Sequence, residues 1–196
     1  MDEKEFNKVV SGFESHEGRG IVYWRAKEII QKNPEYTADA VLLLLSTWNF
    51  AHMSSVLKKV HGWNFDYGKI KSDVDKVLPY LKDLEGLDIR TVDLKGIEKK
   101  ISKIYSPLNK NDNIRSVGAT KIMMLLNDDL FVAWDNAIKK WKGIYRTEPK
   151  DYMDFLRLTQ EEFKGIELYE KNQQVSGMKR GFAKAIDEYN FQKAPR

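Results

Sequence analysis

Ser116-Val-Gly-Ala-Thr-Lys-Ile-Met-Met-Leu-Leu-Asn-Asp-Asp-Leu-Phe-Val-Ala-Trp-Asp-Asn-Ala-Ile-Lys-Lys140 is the stretch on which the reading of the fold turns. Gly118 precedes Lys121, and Lys121 opens an apolar run from Ile122 to Leu126. A second apolar run, Leu130 to Trp134, leads into Asp135. The periodicity predicts a helix at about 117–127, a short extended stretch, and a further helix from 130 or 135 to 142. A lysine beside so much apolar surface has two readings. It snorkels with its amine in water, or burial lowers its pKa and leaves a neutral, nucleophilic amine. Asp135 reads first as an N-cap, accepting backbone N–H bonds at the positive end of the helix dipole. The same cap holds a carboxylate ionised, as a general base or a stabiliser of a cationic transition state requires.

Outward from this stretch, helical periodicity continues in both directions and no run alternates as a strand does. Residues 2–13 and 21–32 read as helices, the second closed by Asn33-Pro34 because the residue before proline is pushed out of the helical region. Thr37 can cap a helix running to about Val60; its Val41–Leu45 segment is apolar all round, as a central buried helix requires. Asp66 and Asp93 start helices over 67–84, kinked or ended by Pro79, and over 94–105. Ser106 to Asn113 reads as a loop of Pro, Asn and Asp. Helices are expected again over 149–171, with Pro149 in the first turn, and over 177–191. The expected fold is an all-α, multi-helix globular bundle. Residues 1–196 are expected to form a single all-α domain, divisible into a core of about 36–142 and a second lobe of 1–35 with 143–196.

At 196 residues the chain can bury a core without disulfides or metal. The absence of cysteine excludes disulfides, thiolate catalysis and cysteine-held zinc or iron–sulfur sites, and three scattered histidines (His16, His52, His61) predict no metal site. No Walker loop, dinucleotide fingerprint or serine elbow is present, so no cofactor is expected. The N-terminus, Met1-Asp-Glu-Lys-Glu, is acidic, and the longest aliphatic run, Val41–Leu45, is too short to span a bilayer; the expectation is a cytoplasmic protein without a membrane partner. Net charge is +4, unevenly placed: residues 94–146 hold 11 Lys and Arg against 5 Asp and Glu, and the remainder holds 22 against 24. That is the footprint of a phosphate-backbone binder or of a solvated lysine-rich surface.

Other side chains carry paired readings. Trp48, Phe50, Trp63 and Phe65 can stack on an extruded base or fill the core. His52 can act as a base or bond inside the core. Lys139, Lys140 and Lys142 can contact phosphates or complement a helix C-terminus. Lys179, Arg180 and Lys184 make a second small basic cluster.

The order of glycine, lysine-bearing helix, apolar stretch and helix-heading aspartate resembles the core of the helix-hairpin-helix DNA glycosylase superfamily, all-α, two-lobed base-excision enzymes. The resemblance implies that Gly118 lies in a hairpin turn whose N–H groups grip a DNA phosphate. It implies that Lys121 attacks the sugar C1′ of a flipped nucleotide, and that Asp135 assists. The turn here holds one glycine where that pattern has two. A wider stretch, Leu42–Leu57 with Ala119–Leu126 and Val132–Asn136, is similar to a group of uncharacterised microbial helical proteins that share a tryptophan-bearing helix, a Thr-Lys helix and a following aspartate. The functional expectation is therefore DNA binding and repair, with glycosylase or lyase activity on a flipped damaged base. The alternative is a non-catalytic helical module that binds nucleic acid or protein.

Overall fold

Acidic side-chain caps start half of the ten α-helices among the described residues, and apolar stripes hold the helices together. A computed structural model describes residues 1–59, 62 and 64–195. Among the described residues there are ten α-helices and one two-stranded hairpin. Helix α1 (Glu3–His16) is capped by Asp2, whose carboxylate accepts the Glu5 N–H at 2.9 Å. Helix α2 (Gly20–Lys32) is followed by a 3₁₀ turn, Pro34–Tyr36, and then by α3 (Thr37–Trp48) and α4 (Phe50–Leu57). Asp66 and Asp93 cap α5 (Tyr67–Lys82) and α6 (Leu94–Lys110), and Asp135 caps α8 (Asn136–Trp141), as their sequence positions predict. Helix α7 (Arg115–Leu126) precedes α8, and α9 (Pro149–Glu162) opens on a Glu148/Asp151 capping box with Pro149 in its first turn. After the hairpin of β1 (Gln174–Val175) and β2 (Met178–Lys179) comes α10 (Phe182–Lys193).

Four expectations are corrected. The helix foreseen from Thr37 to Val60 breaks at Asn49, and its two halves meet at 103°. The cause is distant in sequence: Asn49 Nδ2 donates to the Ile114 carbonyl at 3.2 Å, which pulls this residue out of helical geometry. The loop foreseen over Ser106–Asn113 shrinks, because α6 continues through Pro107 to Lys110. Ile101, Ile104, Tyr105 and Leu108 form a fully buried stripe at helical spacing, and that burial outweighs the hydrogen bond Pro107 forgoes. Helix α9 stops at Glu162, and Gly165 beyond it takes a left-handed φ of +74°. Residues 178–179, foreseen in the last helix, pair with 174–175 around a turn whose two central residues, Ser176 and Gly177, have φ of +52° and +77°. Two-residue strands are too short to show alternation.

One apolar core runs from Phe6 to Ala194. Helices α6 and α7 pack as a hairpin joined by residues 111–114, α3 lies against α7 and α2, and α1 lies along α10. Among the described residues no single helix is long and apolar enough to cross a membrane.

Gly118 sits within α7, not in a turn before it. A Cβ there would come within 3.0 Å of Asn49 Nδ2 and of Ile114 Cγ2, and 3.1 Å of Leu45 Cδ2. The glycine is what lets α3 approach α7. The left-handed residue of the hairpin is Arg115, at φ +60°.

Candidate functional site

The bend at Asn49 and the head of α7 together open a cleft of about 540 Å³, whose lining includes Arg19, Trp48, Phe50, Arg115, Lys121 and Asp135. Each wall follows from a local choice already described. Ending α3 at Trp48 releases that residue's carbonyl from the helical ladder. The Lys121 ammonium donates to it. Lys121 is only 9% exposed, and its Nζ lies 5.8 Å from the centre of the Trp48 ring.

Burial lowers the Lys121 pKa to about 8; Asp187 and Asp135 oppose the shift, and Arg19 and Lys184 add to it. At pH 7 an amine with that pKa is neutral in roughly one molecule in ten, against fewer than about one in a thousand for an ordinary lysine. Asp135 reaches the cleft from the head of α8 while its Oδ1 accepts the Ile138 N–H at 2.8 Å. It therefore caps a helix and lines the cleft at once.

The remaining walls are cationic and aromatic. The Arg19 guanidinium pairs with Glu17 at 2.6 Å and lies 5.7 Å from the Phe191 ring centre. Arg115 pairs with Asp112 at 3.1 Å, and His52 Nε2 lies 2.8 Å from the Asp112 carbonyl oxygen. Burial, with the Arg115 charge, lowers the His52 pKa. Ile114 gives α7 no side-chain cap, and Arg115, Ser116 and Val117 at its head all line the cleft. Phe50 is 65% exposed at this site, whereas Trp48 is almost wholly buried and donates from Nε1 to the Arg19 carbonyl at 2.9 Å. Trp63 lies outside the described residues.

The lysines expected to contact phosphate are placed differently. Lys139 is buried on α8 with its Nζ 5.6 Å from the Trp134 ring centre. Lys142 is paired with Glu162 and sits 4.0 Å from the Trp141 ring centre. Lys140 alone of the three faces solvent, and none of them lines the cleft. The helix is only six residues long, and docking Ile138 against the core turns Lys139 inward with it. The second basic cluster is not a surface either: Arg180 and Lys184 are buried, and Lys179 pairs with Asp129 at 3.0 Å.

Beneath the cleft lies a charged group that the sequence reading did not assign. Lys184 Nζ is 3.1 Å from Asp187 Oδ2 and 3.3 Å from Glu188 Oε1, all three side chains being buried. Arg180 Nε approaches Glu188 Oε2 at 3.2 Å without hydrogen-bond alignment. The available signal was the spacing of Lys184, Asp187 and Glu188, which puts one cation beside two carboxylates on a single helix face. Among the described residues no group of three or more His, Cys, Asp or Glu is arranged to hold a metal ion.

No family model, curated protein or solved structure matches the chain.

Proposed function

We propose that the cleft receives a nucleotide flipped out of DNA and that Lys121 is the nucleophile of a glycosylase with associated lyase chemistry. The observation that carries this reading is the meeting of a buried, carbonyl-bound Lys121 amine and the Asp135 carboxylate in one cleft rimmed by Arg19 and Arg115. In this mechanism the neutral amine's lone pair forms a bond to the sugar C1′ as the C1′–base bond breaks, and that bond's electrons leave with the base. Loss of the amine proton and opening of the sugar ring at O4′, which takes up a proton, leave a Schiff base between C1′ and Nζ. Asp135 stabilises the positive charge that builds at C1′. Arg115 and the uncapped head of α7 offer an anion such as a backbone phosphate both a charge and N–H donors.

Borohydride reduces such a Schiff base to a stable secondary amine, so the test is covalent trapping on oligonucleotides carrying different damaged or mismatched bases. Wild-type protein should form a trapped complex with at least one of them, Lys121→Gln should form none, and Asp135→Asn should bind but turn over far more slowly. Failure of the wild type to trap across a broad lesion set sinks the lyase chemistry.

A second reading rests on a specific observation: both groups already have structural duties, Asp135 as a cap and Lys121 as a donor to Trp48. On that reading the protein is a non-catalytic helical module. Asp135→Asn then leaves nucleic-acid affinity unchanged, and the salt dependence of binding to duplex DNA reports only the surface cations.

A further inference from the structure

Helix α8 ends in a turn that is fixed at both ends. The Gly143 N–H donates to the Lys140 carbonyl at 3.1 Å and the Ile144 N–H to the Lys139 carbonyl at 2.8 Å, with Gly143 at φ +71° and Ile144 packed against the core. Three residues on, the Thr147 carbonyl accepts from Tyr105 Oη and Asn109 Nδ2, both at 2.9 Å. Between these anchors Tyr145 stands 82% exposed, the most exposed large apolar side chain among the described residues. Trp141, one turn earlier, is 38% exposed, although Lys142 Nζ lies 4.0 Å from its ring centre and is itself paired with Glu162 on α9. A ring left in water adds little to the core, so the fold gains almost nothing from holding Tyr145 there.

The charge of the same segment is one-sided. Residues 139–150 hold five Lys and Arg against one Glu, and that one, Glu148, is engaged in the capping box of α9. Lys140, Arg146 and Lys150 are exposed and, among the described residues, take part in no ion pair. Two exposed rings on a fixed backbone, interleaved with unpaired cations, match a ligand that offers flat π-faces and repeated anionic groups together.

We propose that Trp141 and Tyr145, with Lys140, Arg146 and Lys150, form a docking surface for single-stranded DNA outside the cleft. The rings stack on unpaired bases and the cations contact the flanking phosphates. A duplex hides its base faces, so the surface should prefer the single strand. Asp135 and Asn136, at the opposite end of α8, line the cleft, and six helical residues rise about 9 Å, so one strand can engage both places. The inference rests on the reading of the cleft only in taking the nucleic acid to be DNA; it needs no reaction at Lys121.

The experiment is fluorescence anisotropy of a labelled oligothymidine strand with the full chain at low salt. Wild type should bind it more tightly than a duplex of the same length. Tyr145→Ala should weaken binding about tenfold, and Tyr145→Phe should keep it within about twofold, because stacking needs the ring and not the hydroxyl. Lys140→Gln combined with Arg146→Gln should flatten the slope of log affinity against log salt by about 1.4, the loss expected for two phosphate contacts on a single strand. Unchanged affinity in Tyr145→Ala overturns the proposal, as does wild type that binds no strand or prefers the duplex. Displacement of the strand by an equal concentration of polyglutamate assigns the surface to acidic protein segments and overturns it too, and an oligouridine strand bound more than about tenfold tighter overturns DNA as the ligand. Borohydride trapping is scored separately. Trapping with unchanged affinity in Tyr145→Ala defeats this inference alone, whereas a tenfold loss in that variant without any wild-type trapping defeats the glycosylase reading alone.

Discussion

Lys121 and Lys184 are both buried, both close to the ring of Trp48, and opposite in behaviour. Burial disfavours the charged form of each, yet the Lys184 pKa is raised because Glu188 and Asp187 outweigh burial, while that of Lys121 is lowered. The difference lies in the partner. Two carboxylates hold the Lys184 proton, whereas Lys121 is bonded to a neutral carbonyl, with Asp187 and Asp135 acting only through space. Burial alone does not lower a lysine's pKa; burial with a neutral partner does. The carboxylates respond in kind. Burial pushes Glu188 up to about 7 against the pull of Lys184 and Arg180, with Glu14 and Asp187 adding to the rise, and burial likewise raises the Asp187 pKa against Lys184.

The comparison can be broken most directly at Lys184. Lys184→Met should cost about 3–5 kcal/mol at neutral pH in chemical denaturation, since it strands Asp187 and Glu188 in the core. Lys121→Met should cost much less at neutral pH, because it leaves no close ion pair broken.

The next effect is in pH dependence. The Lys121 pKa is about 8 in the folded state and near 10.4 in the unfolded chain. The unfolded state therefore binds more protons between these values, and this group's contribution to stability climbs as pH rises through the window, by ~3 kcal/mol in total. Comparing urea midpoints of wild type and Lys121→Met from pH 8 upward should show the wild type gaining on the variant by that order. Parallel curves would mean that the amine is not perturbed by burial.

A smaller effect tests the close approach that brings Lys121 to the Trp48 carbonyl. Gly118→Ala inserts a methyl 3.0 Å from Asn49 Nδ2 and Ile114 Cγ2. The crowding should cost about 1–3 kcal/mol, partly offset by the better helix propensity of alanine. Thermal unfolding measures the net loss, and the Lys121 titration should move with it as α3 shifts. The smallest effect expected is for Asp135→Ala, about 1 kcal/mol from the lost cap, with Asp135→Asn close to neutral in stability. A much larger loss would mean that Asp135 holds more than the head of α8.

The all-α class and most helix starts were legible because they rest on local chemistry: Asp66, Asp93 and Asp135 cap the helices that follow them. What was not legible depends on distant contacts. Trp48-Asn-Phe50 is compatible with helix, and the bend exists because Asn49 meets Ile114 across the α3–α7 contact. Turn-rich composition at Ser106–Asn113 lost to an apolar stripe that only packing makes decisive. Lys121 and Asp135 stood out by their apolar setting, and they line one cleft. Lys139 and Lys142 were misplaced because six residues contain too little periodicity to show which face turns inward. The Lys184, Asp187 and Glu188 spacing is what a solvated helix face also shows, so burial there had to come from the structure.

The pairing of α1 with α10 has a consequence for biosynthesis. Helix α10 follows every other described helix in chain order, and α1 precedes them all, yet Phe6 packs 5.6 Å from Tyr189 and Glu5 pairs with Lys193 at 2.5 Å. On the ribosome the first helix must wait for the last. Until α10 emerges, the underside of Trp48 stays wet and Lys121 remains an ordinary, fully protonated lysine. A nascent chain that has already formed the α6–α7 hairpin therefore still lacks the buried setting of Lys121, which is completed only once α10 has emerged to pack beneath Trp48.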